Sequence, residues 1–285
     1  MNETEFVAAL RKLPLHAGAR GLEDDCAVLP VGGETLIITH DMMAEDTHFH
    51  SHADKADVAW KLLAANLSDL AAKGAEPVGV LLGYSLGNDD ARFLEGLDEA
   101  LRAYGVPLMG GDTVATTGTS TYGMTAIGRA TCLPVPSRNG AKAGDGIYVT
   151  GPVGRAMLGY EGEEEHLAAF NRPVPRLAEG MALAPLASAM MDVSDGLLLD
   201  CWRMAWVSGV TLALESAAVP VASRARFGEC VRWGDDYELL FTAPEGTALP
   251  VAATRIGTVR QREHAPLLLD EAPLADPANL GYRHG

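Results

Sequence analysis

Five short acidic clusters, spread from Asp24 to Asp195, carry the residues most able to do chemistry. They are Asp24-Asp25, Asp41, Asn66-Leu67-Ser68-Asp69, Gly110-Gly111-Asp112-Thr113 and Asp192-Val193-Ser194-Asp195-Gly196. Most stand where an apolar run meets a turn or helix, where a fold can aim side chains into one cleft. Carboxylates brought together repel, so a site built from them needs cations to stay ionised. Hard oxygen ligands without a His/Cys framework point to Mg²⁺, which few carboxylates usually share with substrate phosphates. The chemistry implied is the handling of nucleotide phosphates.

The elements that must position these residues are legible in outline. Leu36-Ile37-Ile38-Thr39-His40-Asp41 is apolar and partly β-branched, which predicts a strand ending on Asp41. Over 56–73, Val58, Ala59, Leu62, Leu63, Leu67, Leu70 and Ala71 have helical spacing, and Gly74 stops the helix. Asn66, Asp69 and Lys73 share one face of it. Strands are expected at 77–86, 106–109 and 121–129, with an amphipathic helix at 90–104. Pro134, Pro136, Gly140, Gly144 and Gly146 then mark a boundary near residue 135, dividing the chain into 1–135 and 136–285. Beyond it, strands are predicted at 147–150, 187–191 (delivering Asp192), 210–214 and 237–242, with helices at 154–160 and 197–207. This alternation gives a mixed α/β, or α+β, fold class in both halves.

Composition narrows the function. The 285 residues suffice for two cores, and 48% hydrophobic with 21% charged content is that of a globular protein. Apolar stretches are too short to span a bilayer and no leader pattern opens the chain, so no membrane partner and a cytoplasmic address are expected. A net charge of −16 argues against nucleic acid. Cys26, Cys132, Cys201 and Cys230 form no CxxC pair and lie in or beside apolar segments, as reduced buried thiols do.

Glycines in Gly110-Gly111-Asp112-Thr113 let backbone amides approach a phosphate while Asp112 holds the metal it shares; an ordinary turn is the competing reading. There is neither a Walker A loop nor a protein-kinase signature. The ordered set is more specific. Glu23-Asp24-Asp25-Cys26-Ala27, Thr39-His40-Asp41, His48-Phe49, the run from Asn66 to Ala75, Gly110 to Thr113, Ser137-Arg138-Asn139-Gly140-Ala141, Asp192 to Leu197 and Gly234-Asp235-Asp236-Tyr237-Glu238-Leu239 follow in that order. From about Phe6 to Tyr282 this series resembles the thiamine-monophosphate kinase family, within the superfamily of aminoimidazole ribonucleotide synthetase.

The resemblance implies a two-domain PurM-like fold. Its N-terminal domain would bind metal and ATP and pair in a homodimer, and its C-terminal domain would complete the cleft. The reaction implied is ATP-dependent phosphorylation of thiamine monophosphate to thiamine diphosphate, by direct in-line transfer with several Mg²⁺ ions. It places Asp25, Thr39, His40, Asp41, Asp69, Asp112, Asp192 and Asp195 at metal positions, with Asp25, Asp69, Asp112 and Asp195 catalytic. Tyr104, Gly111, Asp112, Arg138 and Ser194 fall at the ATP site, and His48, Asp235 and Tyr282 at the thiamine phosphate. Glu23, His40 and Asp235 depart from the family pattern. Other ATP-using enzymes of the superfamily and a non-catalytic nucleotide-binding regulator are the alternatives.

Several neighbours carry blander readings. Asp24 either joins Asp25 or faces outward, Asp200 reads as a surface or capping residue, and Lys73 as a solvated helix end. The alternation of His48, His50 and His52 suits a zinc face, but no fourth ligand accompanies it.

Overall fold

The computed structural model describes residues 3–115 and 117–283. Helix α1 (Glu3–Leu10) precedes β1 (Ala27–Val31) and β2 (Glu34–Ala44), which pair as an antiparallel hairpin. Next come α2 (Lys55–Ala72), β3 (Ala75–Leu86), α3 (Asp90–Tyr104), β4 (Leu108–Ala115) and β5 (Thr121–Ala130). The five strands make one sheet in the order β1-β2-β5-β3-β4, antiparallel except for β3 and β4.

After the connection containing residue 135 come β6 (Gly146–Val149), α4 (Arg155–Tyr160), α5 (Leu167–Asn171), α6 (Leu177–Leu183), β7 (Ala189–Asp192) and α7 (Leu197–Ser208). The chain ends with β8 (Val210–Leu214), α8 (Phe227–Cys230), β9 (Leu239–Ala243), β10 (Thr254–Gln261), β11 (Leu267–Leu269) and β12 (Ala272–Leu274). Their seven strands form a second sheet, β12-β11-β8-β10-β6-β9-β7. The fold is mixed α/β, with a separate apolar core for each sheet. No described helix is long and apolar enough to cross a membrane.

Helix α2 positions most of the site. Asp54 caps it, its side chain accepting the Ala56 N–H at 2.9 Å. Leu62, Leu63, Leu67 and Leu70 are fully buried, each stabilising the core by about 1.5–3 kcal/mol. One side of α2 lies on β2, β5 and α3, and another meets α6 and β7 of the second half. Enclosure therefore reaches its polar residues too: Lys61, Asn66, Ser68 and the cap residue Lys73 are all buried. Buried polar groups need partners: Asn66 finds Leu62 and Asp41 in the first half, while Lys61, Ser68 and Lys73 reach Asp235, Asp192 and Met190 in the second. Lys73 is thus not a solvated helix end, because the second half covers that end of the helix.

Two predicted boundaries move. Strand β2 runs three residues past Asp41 to Ala44, laddered with β5 as far as Thr121. The segment Gly110 to Thr113 lies inside β4, not in a turn after it. At Gly111 the backbone has φ 151°, and an added Cβ would lie 1.8 Å from the Leu82 carbonyl oxygen. Only glycine fits there.

Candidate active site

Side chains alternate faces along a strand, so in β2 Thr39 and Asp41 turn toward α2 while His40 turns away. Thr39 Oγ1 donates to Asp69 Oδ2, and the Asp41 N–H donates to Asn66 Oδ1 at 3.2 Å. Asp25 stands just before β1, and Asp192 ends β7, where Ser68 Oγ donates to Asp192 Oδ2 at 2.7 Å. Carboxylate oxygens of Asp25, Asp69 and Asp192 lie within 4.8 Å of one another. Two elements of the first half and one of the second thereby converge.

Burial, then the charges of Asp25, Asp195 and Asp235, push Asp41 up to about 6. Asp69 is raised well above the ordinary carboxylate range by burial and by Asp41, Asp192 and Asp25. Asp192 is raised by burial and by Asp25, against the opposing hydrogen bond from Ser68. Asp25 Oδ2 and Asp192 Oδ1 are buried without a hydrogen-bond partner. A partnerless oxygen on Asp192 and one on Asp25 met only by the Lys73 ammonium, in an all-oxygen donor set, fit a hard divalent cation such as Mg²⁺.

A pH dependence follows. Asp41 at about 6, Asp200 at about 7 and Asp236 at about 8 all sit above the ordinary 3.8, raised first by burial. The folded chain therefore binds more protons than the unfolded chain between those limits, and its stability falls as pH rises through them. Metal-free protein should melt at a higher temperature near pH ~5.5 than near pH ~8. A higher melting temperature at the alkaline end would contradict this protonation pattern.

A cationic wall backs the carboxylates. Asp24 is buried, not outward-facing, and its Oδ1 lies 2.5 Å from Lys73 Nζ. Arg20 Nη1 lies 2.5 Å from Asp24 Oδ2 and also donates to the Pro136 carbonyl at 2.9 Å. Burial alone would raise Asp24, but Lys73 and Arg20 hold it well below its ordinary value. Arg138 donates from Nε to Asp25 Oδ1 at 2.6 Å, with Nη2 on the same oxygen.

The second half adds a loop stitched by backbone hydrogen bonds. Asp200 is fully buried, not a surface residue, and its Oδ2 accepts the Asp195 N–H at 3.2 Å. Arg203 pairs with Asp195 and, at 3.1 Å, with Asp200. The Ser194 carbonyl accepts Asp235 N–H, and the Asp195 carbonyl accepts Tyr282 N–H, each at 2.8 Å. Lys61 Nζ, which sequence reasoning missed, donates to Asp235 Oδ2 at 2.7 Å and to the His48 carbonyl at 3.1 Å. Tyr237 OH donates to Asp235 Oδ1 at 3.1 Å. His48, Asp235 and Tyr282 are thus linked to the same region. His48 Nδ1 accepts the Ala44 N–H at 3.1 Å. The His50 ring stacks between those of His52 and Tyr160, at 5.1 and 4.5 Å. Among the described residues the alternating histidines form no ligand cluster.

Other residues lie elsewhere. The His40 imidazole meets Thr125 Oγ1 at 2.9 Å on the opposite sheet face, away from the carboxylates, because side chains alternate along β2. Asp112 and Gly111 are exposed on the edge strand β4, outside the carboxylate trio. Tyr104 packs against Trp60, 5.5 Å between rings, nine residues before Asp69 and so about 14 Å away along α2.

Comparison with known proteins agrees with this architecture. The family model for AIR synthase related protein, N-terminal domain, matches residues 23–130. Thiamine-monophosphate kinase of Salmonella typhimurium is 37% identical over 83% of this chain and 81% of its own length. The crystal structure of thiamine-monophosphate kinase from Stenotrophomonas maltophilia K279a is 30% identical, with a TM-score of 0.78 over 95% of this chain and 96% of that one. AaThiL complexed with AMPPCP and TMP shares the fold at 24% identity, with a TM-score of 0.87 over 100% of this chain and 97% of that one. By sequence and by fold, the chain belongs to the thiamine-monophosphate kinase family.

Proposed function

We propose that this chain phosphorylates thiamine monophosphate to thiamine diphosphate with ATP, by direct, Mg²⁺-assisted in-line transfer. The observation that carries the reading is the convergence of Asp25, Asp69 and Asp192 within 4.8 Å, in a chain whose relatives are thiamine-monophosphate kinases. Donor and acceptor are both anions, so charge repulsion is the main obstacle to their approach. Asp25, Asp69 and Asp192 would hold Mg²⁺, which would supply positive charge against the phosphates. Asp41 and Asp195 extend the acidic lining, and Thr39 fixes Asp69. Arg138 offers a planar fork suited to a phosphate oxygen. Gly111, Asp112, Ser194 and Tyr104 serve the nucleotide end in this reading. His48, Asp235 and Tyr282 serve the acceptor.

The thiols support transfer without a phosphoenzyme. Burial pushes Cys26 and Cys201 well above the ordinary thiol range, which leaves them poor nucleophiles. The test is ADP release with and without thiamine monophosphate, together with the stereochemistry at the γ-phosphorus. ADP should form only with the acceptor present and configuration should invert; retention would overturn direct transfer.

The acceptor end gives a separate expectation. Tyr282→Ala should raise KM for thiamine monophosphate about tenfold and leave KM for ATP nearly unchanged, since a ring stacked on a thiazolium cation contributes about 1–2 kcal/mol. Equal effects on both substrates would remove Tyr282 from this role.

Pairing of two copies also belongs to this reading. Strand β4 is an edge with an open row of backbone groups; Leu108, Met109 and Val114 are exposed on it, and Leu81 on the neighbouring β3.

A further inference from the structure

Lys73 stands at the C-terminal cap of α2 with its side chain 0% exposed. Its Nζ lies 2.5 Å from Asp24 Oδ1, 2.5 Å from Asp25 Oδ2 and 3.2 Å from the Met190 carbonyl, two residues before Asp192. A buried ammonium needs opposite charge beside it, and two carboxylates at ion-pair distance supply it. The approach to Asp25 Oδ2 has ion-pair distance without hydrogen-bond alignment, so Lys73 acts on that oxygen as a point charge. A divalent ion would act on it in the same way. Asp25 Oδ1 is taken by Arg138, so any metal binding Asp25 must share an oxygen with one of these cations.

We propose that Lys73 is a built-in cation of the carboxylate centre, which assembles Asp24 and Asp25 before metal arrives and competes with a divalent ion for Asp25. The inference rests on reading Asp25, Asp69 and Asp192 as a metal site, not on the identity of the acceptor. Its sign is distinctive: removing a merely structural lysine would loosen the site and weaken metal binding, whereas removing a competing charge strengthens it.

Mn²⁺ serves as the probe, with free Mn²⁺ followed by electron paramagnetic resonance and melting followed with and without the ion, in the absence of nucleotide. Lys73→Met should bind Mn²⁺ about fivefold or more tightly than the unsubstituted chain. By mass action it should also gain a larger upward melting shift from the same concentration of ion. Its metal-free form should melt lower than the unsubstituted chain, because Asp24 and Asp25 lose their shared partner. Lys73→Gln keeps N–H donors but no charge; should the methionine variant fail to fold, it is expected to show the same tightening. Unchanged or weaker Mn²⁺ binding in a folded variant overturns the inference alone. No Mn²⁺ binding by the unsubstituted chain overturns the metal reading, and the inference with it.

Discussion

Asp69→Asn should lower turnover about a thousandfold, while the protein should melt no lower than the unsubstituted chain. The amide keeps the shape of the carboxylate but not the charge that holds a cation beside Asp25 and Asp192. Loss of one metal contact that stabilises transferring phosphate is worth several kcal/mol, and about 4 kcal/mol corresponds to that factor. Stability should move the other way in metal-free protein. Asp69 is buried among like charges that raise its pKa, so a neutral residue there removes repulsion. Turnover at saturating ATP, acceptor and Mg²⁺, beside a melting curve, checks both halves of the statement. Activity within tenfold of normal would exclude Asp69 from the centre.

Gly180→Val has the largest expected effect on folding. Gly180 lies in α6 where it crosses α2, and an added Cβ would fall 2.0 Å from the Ala71 carbonyl oxygen. Backbone cannot yield as a flexible side chain does, so the helices must separate and lift Leu183 and Ala184 from Ala71 and Ala72. Overpacking of this kind costs about 3 kcal/mol or more, a large part of the ~5–15 kcal/mol that holds a domain folded. A melting temperature lower by roughly 6–12 °C is expected for a chain of this size. Gly118→Ala is the control, because nothing lies within 4 Å of its added Cβ. Equal melting of the two variants would mean that the α2–α6 contact contributes little.

Much of this site was legible in the sequence because its chemistry is local. Asp25, Asp69 and Asp192 sit in short motifs whose spacing survives any uncertainty about topology. The resemblance places Thr39, His40 and Asp41 together at metal positions, although the alternation along β2 turns the His40 side chain to the other face. Residues whose meaning depends on the other half were misread. Lys73 and Asp200 look like surface charges until the second half is packed over them, since helical periodicity reports one apolar face and says nothing about what covers the others. Lys61 carried a faint signal, a cation inside the apolar run Trp60-Lys61-Leu62-Leu63. In sequence, Gly110 and Gly111 read as an approach for phosphate, with an ordinary turn as the competing reading, whereas at Gly111 the structure requires room beside Leu82 within a strand. Strands β10, β11 and β12 went unread because they are short, or interrupted by Gly257 and charged residues.

The enclosure of α2 has a consequence for how the molecule loses its structure. One helix supplies the first core with Leu62, Leu63 and Leu67 and the seam with Ala71 and Ala72, and its Ser68 and Lys73 reach Asp192 and Met190. Neither half has a complete surface without the other. Segment 1–135 alone would leave Ser68 and Lys73 without those partners and bare the apolar seam. Heat or denaturant should therefore meet one cooperative unit with a single transition, and the acidic centre should vanish with it.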